Sequence, residues 1–389
     1  LCNVQAGLLM ADSICRHLQK IFKQRDPPTD ERRNDPRLGV QAFQMAVPRE
    51  RHENVRRDQQ KNGDECVWHW IVLRDSIGQI DTARFKSDST SPGFASGLSE
   101  FARDIKLSHS IFAMPYALLA TMLAARHDQI DGRFPTILQV VLIIACMIFA
   151  RSFAMGMNRL IDADLDKLNP RTARRSIPAG RASKNFVRLI CCVCAIAFCM
   201  TTSVFGIVYQ NWLPLILSIP ALAFLGSYPY LKRYTRWVHF YLGAALGLAP
   251  ICAWIAIAGS IDSTPILLGL GVLFWTAGFD ILYATQDVES DQQTGVRSVP
   301  ARYGISRSLW IARIVHGLSI MMFGEAMMVS PDLGMFFGIG LGIACVLLVY
   351  EHSLVKPNDL SKLNLAFFTL NGIIALTVGG LGIVDVMMK

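Results

Sequence analysis

Nine apolar segments follow one another along this chain, at 108–125, 136–160, 185–208, 212–231, 238–258, 264–286, 307–330, 333–351 and 364–386. Each lies near the roughly 20 residues that carry a helix across a bilayer. In hydrocarbon every backbone N–H and C=O must be satisfied inside its own segment, which a helix achieves and a lone strand does not. The expected fold class is therefore all-α, an integral membrane bundle of nine transmembrane helices. The balance of 52% hydrophobic to 17% charged residues agrees, since a soluble domain carries about 25% charged.

The first hundred residues read differently. They are polar, hold 15 Lys/Arg against 14 Asp/Glu, and show little periodic apolar pattern, too little to offset the entropy of ordering them. The expected organisation is a polar N-terminal extension over 1–100, either disordered or the result of a start placed too far upstream, then a transmembrane domain over 101–389. Nearly all of the net +8 belongs to the second part, and it sits in loops between apolar segments. That is a topology signal rather than a nucleic-acid surface, so the expected partner is the lipid bilayer and no nucleic acid. Cys146, Cys191, Cys192, Cys194, Cys199, Cys252 and Cys345 fall inside apolar segments, where cysteine acts as a small hydrophobe. The Cys191, Cys192, Cys194 run lacks the partners of a zinc site.

The basic residues alternate from link to link. Lys167, Arg171, Arg174, Arg175, Arg181 and Lys184 follow the second segment, Lys232, Arg233 and Arg236 the fourth, and Arg297 and Arg302 the sixth. The links after the third, fifth and seventh carry none, and Arg126 and Arg133 after the first are balanced by Asp128 and Asp131. By the positive-inside rule the even links face the cytoplasm, which places the N-terminus inside and the C-terminus outside.

Both acidic clusters then lie on one side of the membrane. Asn158, Asp162 and Asp166 recur every four residues at the end of the second segment, Asp287 and Asp291 at the end of the sixth. Four-residue spacing puts each set on one helix face. The two sets are 125 residues apart, a separation that a parallel four-helix repeat would generate. Ionised carboxylates at the mouth of a membrane helix need charge compensation, and Mg²⁺ suits a hard oxygen-rich site because it takes one or two carboxylates plus water and phosphate oxygens. Arg171 and Arg175 flank the first set, Arg297 and Arg302 the second, and the planar guanidinium matches phosphate oxygens. Taken singly, Arg181, Lys184, Arg188 and Arg236 read as topology signals, whereas topology leaves the five polar positions unexplained. Arg151 and Asp280 each stand seven residues before a stripe and point into the bundle, either as an ion pair or lining an acceptor pocket. Glu325, Arg313 and His316 read as satisfied groups within the bundle.

The stretches Asn158 to Asp166 with the following Asn169, Tyr228 to Arg233, and Asp280 to Asp291 resemble the motifs of the UbiA superfamily of intramembrane prenyltransferases, over roughly 103–389. The resemblance implies that Asn158, Asp162, Asp166, Asp287 and Asp291 hold Mg²⁺. It implies that Arg171 and Arg175 bind diphosphate oxygens with Asn158, that Tyr228 and Lys232 cap the site, and that Asp280, Arg151 and Lys106 lie near the acceptor. Asp162, Asp166, Asp287, Asp291 and Asp280 are the implied catalytic carboxylates. The implied reaction moves a polyprenyl group from an allylic polyprenyl diphosphate to an aromatic acid such as 4-hydroxybenzoate, for ubiquinone or menaquinone synthesis, at the cytoplasmic face of a bacterial inner membrane. Residues 286–304 are similar to 4-hydroxybenzoate polyprenyltransferases, including the branch assigned to menaquinone synthesis through futalosine. They depart from the Asp-Arg-Asp-Asp-Asp of the ubiquinone-pathway enzymes, which leaves the acid open. A haem, chlorophyll-like, tocopherol-like or lipid acceptor is the alternative. A secondary transporter is a remoter one, because its charges would sit near helix centres.

Overall fold

The computed structural model describes residues 97, 99–102, 112–127 and 134–389, all within the unit Thr90–Lys389. Most of the 1–100 extension, and Lys106, lie outside the described residues. Apart from one isolated bridge between Lys356 and Asp359, every regular element among them is helical: α1 (Met114–His127), α2 (Ile137–Ile161), α3 (Ala163–Asp166), α4 (Lys184–Tyr209), α5 (Leu213–Leu231), α6 (Val238–Ala258), α7 (Ser263–Ala284), α8 (Val288–Thr294), α9 (Val299–Tyr303), α10 (Ile305–Val329), α11 (Met335–Leu354) and α12 (Asn371–Met388). A 3₁₀ turn (Thr285–Asp287) joins α7 to α8, and a π-helical turn (Leu365–Leu370) leads into α12.

Eight described helices are long and apolar enough to cross a membrane. The ninth expected segment, 108–125, appears as the 14-residue α1, with part of its range outside the described residues. The others start and stop within a few residues of the apolar runs because the polar residues between them cap helix ends. Thr136 and Gln139 form a reciprocal capping box at the start of α2, the Ser183 side chain caps α4, and Asp262 caps α7. Gly259, at φ +65°, closes α6 in the left-handed conformation that glycine adopts without strain.

The core centres on α7, which is buried on nearly every side. Leu268, Val272 and Trp275 pack with Tyr116, Leu119 and Leu123 of α1, Phe323 of α10, Phe337 of α11 and Ile374 of α12. Helices α6 and α7 approach backbone to backbone: a Cβ on Gly243 would collide with the Leu273 carbonyl, and one on Gly247 with that of Gly269. Small residues spaced by four are how membrane helices achieve such contact. Large apolar side chains such as Ile137, Ile196, Met200 and Met328 point outward and are exposed, as a lipid-facing surface requires.

Alternate connections gather at opposite ends. At one end, side chains of the link after α3 reach Asp287, Lys232 after α5 reaches Asp162, and the Arg297 N–H donates to the Lys232 carbonyl at 2.8 Å. At the other, His127 meets Asp262, Arg126 meets Asp332, and the Asp385 carboxylate accepts from the amides of Gly334, Phe336 and Phe337.

Candidate active site

Both acidic sets fall where a long helix breaks. The spacing predicts unbroken helical stripes, and the structure interrupts each one. Asp162 is the junction between α2 and α3, yet the bonds from the Asp162 N–H to the Asn158 carbonyl (3.0 Å) and from the Asp166 N–H to the Asp162 carbonyl (2.7 Å) keep the four-residue rhythm across it. The 3₁₀ turn ends at Asp287, so Asp287 and Asp291 belong to differently wound turns. The break at Ile161 frees its carbonyl, which accepts from the Arg233 guanidinium at 3.1 Å.

Each carboxylate has its own partner. Lys232 Nζ donates to Asp162 Oδ2 at 2.6 Å. A single nitrogen of Arg175, Nη1, donates to both oxygens of Asp166, at 2.7 and 2.8 Å. Arg171 grips Asp287 with two donors, at 2.9 and 2.6 Å, and Asn169 Nδ2 adds a third at 3.0 Å. Asp291 accepts from the Ser298 hydroxyl at 2.8 Å, while the same oxygen of Ser298 caps α9 by accepting from the Ala301 N–H. With its amide nitrogen turned toward Asp162, Asn158 donates to Asp162 Oδ2 at 3.2 Å and accepts from Lys232 at 3.3 Å. Arg171 and Asn169 therefore tie the first acidic set to the second. Residues 116 and 118 apart in the chain meet in one site.

The charges support one another. Burial pulls the Lys232 ammonium down, and the adjoining Asp162 carboxylate more than reverses this, leaving its pKa above the ordinary lysine value. The same balance of burial against the Asp287 hydrogen bond and charge holds Arg171 above its usual value. A cation raised in this way contributes its stability throughout the neutral range and loses it only in strong alkali. Tyr228 packs its ring under Lys232, 5.1 Å from Nζ to centroid, and the charges of Asp162, Asp280, Lys232 and Arg175 all lie within reach of its hydroxyl.

Beneath Asn158 and Tyr228 a cavity of about 220 Å³ opens between α2, α4, α5 and α6, walled by Phe198, Leu225 and Ala249 and reaching to Pro214 and Ala256 at the far end. Arg151 lines it, and its buried Nε has no hydrogen-bond partner among the described residues. The ion pair between Arg151 and Asp280 that the sequence allows does not form, because Asp280 is held instead by His239 at 2.7 Å. Sequence reading passed over His239, whose one signal is a titratable side chain two positions into an apolar helix. It also gave no role to Asn169, read there only as part of a motif, nor to Ser298 and Tyr283, the last accepting from Arg171 Nη1 at 3.4 Å while its ring lies beneath the guanidinium. Away from the site, His316 is buried against His352 and the Trp275 carbonyl, as expected, whereas Glu325 and Arg313 are exposed on the outer face of α10 rather than within the bundle.

A family model described as the UbiA prenyltransferase family matches residues 113–373. Among curated relatives, the 4-hydroxybenzoate octaprenyltransferase of Nitrosococcus oceani is 28% identical over 274 residues, covering 70% of this chain and 92% of the relative. The enzyme of the same name from Xanthomonas campestris pv. campestris is 30% identical, covering 64% of this chain and 80% of the relative. Among solved structures, an apo UbiA homologue from Aeropyrum pernix K1 superposes with a TM-score of 0.62 at 25% identity, covering 72% of this chain and 98% of that one. A UbiA homologue from Archaeoglobus fulgidus bound to GPP and Mg²⁺ shares the fold, with a TM-score of 0.57 at 19% identity, covering 74% and 99%.

Proposed function

The chain belongs to the UbiA prenyltransferase family and is a prenyltransferase, and from that premise we propose that it transfers a polyprenyl group from an allylic polyprenyl diphosphate to an aromatic acid such as 4-hydroxybenzoate, in ubiquinone or menaquinone biosynthesis. The observation that carries this reading is that Arg171 and Asn169, in the link after the first acidic set, bind Asp287 of the second while Lys232 binds Asp162, above a cavity lined by Arg151, whose Nε has no hydrogen-bond partner among the described residues. The names of the curated relatives support the acceptor.

The residues fit a magnesium ion. The buried Asp162 Oδ1 has no hydrogen-bond partner among the described residues, and the donors are hard oxygens. Among the described residues no three His, Cys, Asp or Glu side chains converge as a ready-made metal cluster, so water and diphosphate oxygens would have to complete the shell, as Mg²⁺ accepts. Asn158, Asp162, Asp166, Asp287 and Asp291 are the residues that would hold it. When bound, the ion supplies charge that stabilises a departing diphosphate.

The chain's own groups do the rest. Arg171, Arg175 and Lys232, each resting on a carboxylate, are placed to turn to diphosphate oxygens, where preorganised donors in a site poor in water act most strongly. Tyr228 closes the floor between head group and cavity. The apolar walls of the cavity receive the first isoprene units, and the remainder of the tail stays in lipid, where each CH₂ is favoured by about 0.8 kcal/mol. Arg151, whose Nε has no hydrogen-bond partner among the described residues, offers a carboxylate of the acceptor the bidentate contact that a guanidinium forms. An anionic acceptor is favoured by this residue over a neutral lipid or porphyrin side chain. The alternation of basic links supports a site on the cytoplasmic side, and a bacterial inner membrane is the proposed location.

The test is to incubate membranes containing the protein with labelled polyprenyl diphosphate, Mg²⁺ and a panel of hydroxybenzoate- and dihydroxynaphthoate-type acids. A prenylated aromatic acid formed only with Mg²⁺ is expected. Release of diphosphate without a prenylated product from any acid of the panel would overturn the proposed acceptor class.

A further inference from the structure

His239 is 3% exposed and both its ring nitrogens are engaged. The Val299 N–H approaches Nε2 at 3.3 Å, and a backbone amide can only donate. Nε2 is therefore the unprotonated nitrogen, the ring hydrogen sits on Nδ1, and the 2.7 Å contact with Asp280 is a donation from His239 to Oδ2. Its two neighbours set which nitrogen carries the ring hydrogen. Asp280 stands seven residues before Asp287 on α7, about 10 Å deeper along the helix axis. Its Oδ2 is taken by His239 and its charge is felt by the Tyr228 hydroxyl at the cavity's upper end. No hydrogen bond occupies its Oδ1 among the described residues, and its side chain is 18% exposed.

Resting on the transfer proposed above, we infer that His239 and Asp280 form the proton-accepting pair of the reaction, with Asp280 the catalytic base and His239 the positioning residue that holds it. The allylic C–O bond breaks and its electron pair leaves with the diphosphate. A π pair of the aromatic ring forms the new C–C bond, the electrons of the C–H bond at that carbon restore the ring, and the proton passes to Asp280 Oδ1. His239 keeps the carboxylate aimed by donating to its other oxygen. Because Val299 opens α9 directly after Ser298, the residue on Asp291, His239 also ties this base to the loop behind the second acidic set.

The test uses the full-length protein in membranes and an acceptor deuterated at the ring carbons beside the hydroxyl. In the wild type the expected isotope effect is close to one, as for a transfer whose slowest step is ionisation of the allylic diphosphate. In Asp280→Asn, transfer should fall about 10²- to 10⁴-fold and a primary isotope effect should appear, while Mg²⁺-dependent binding of the prenyl diphosphate is retained. His239→Gln can still accept from the Val299 N–H and no longer reaches Asp280 as a donor; its transfer rate should fall about 10- to 100-fold, the usual size of such support. His239→Asn restores a donor near the Nδ1 position and should recover most of that loss. A slow Asp280→Asn enzyme without an isotope effect would overturn the inference, as would a His239→Gln enzyme with wild-type rate. Failure of the wild type to prenylate any aromatic acid would instead strike the proposed function itself.

Discussion

At the scale of single residues, three carboxylates of the site, Asp162, Asp166 and Asp287, are already paired with cations of the chain. Asp162 is nearly inaccessible and leans on Lys232. Removing one member of a buried ion pair typically costs 3–5 kcal/mol because the other is left uncompensated. Lys232→Ala should therefore lower thermal stability, and Mg²⁺ should restore more of it than it adds to the wild type, since a metal ion on Asp162 takes over the lost charge. Equal stabilisation of both proteins by Mg²⁺ would count against Asp162 as a metal position. Asp162→Ala and Asp287→Ala should each reduce turnover by about 10³-fold or more, the weight of several kcal/mol of charge stabilisation, in protein that still inserts. Arg171→Ala removes a donor whose charge-assisted contacts are worth about 1.5–3 kcal/mol. Its expected effect is a rise of about 10- to 100-fold in KM for the prenyl diphosphate. Movement of the acceptor KM alone would show that Arg171 serves the other substrate.

Among the elements, α6 and α7 bear most directly on the chemistry. Their contact at Gly243, Gly247, Gly269 and Leu273 leaves no room for a side chain. His239 is one turn before Gly243 on α6, and its partner Asp280 is on α7, so the spacing of these helices sets the geometry of the pair. Gly243→Leu should cost about 1–3 kcal/mol through overpacking and lower the melting temperature in detergent by several degrees. It should also slow transfer, because His239 is carried away from Asp280. An unchanged melting temperature would mean that the two helices can part at no cost. The helix breaks after Ile161 and Ala284 serve the same end, since each lets its acidic residues turn inward from a helix that otherwise faces lipid and core.

Across the whole molecule, the short helical turn at 99–102 belongs with the bundle. Phe101 is buried beside Ala163, Val187 and Cys191, and Glu100 pairs with Arg181 at 2.9 Å. The boundary drawn at residue 100 runs through this turn. A protein starting at Thr90 should keep its prenyltransferase activity, whereas one starting after residue 102 should lose stability with the Phe101 side chain. Loss of activity in the longer of these two proteins, with correct insertion, would assign residues 1–89 a part in the reaction. Much of the architecture is local and periodic, and so was legible in the chain: apolar runs of spanning length, the four-residue spacing of Asn158, Asp162 and Asp166, and basic links in alternation. Each depends only on residues close together in sequence. The tertiary structure alone decided that Asp280 meets His239 rather than Arg151, that Asn169 crosses to Asp287, and that Arg151 is left facing an open cavity. Those outcomes depend on how far each helix is rotated and how closely its neighbours pack, and backbone contact at a few glycines sets both.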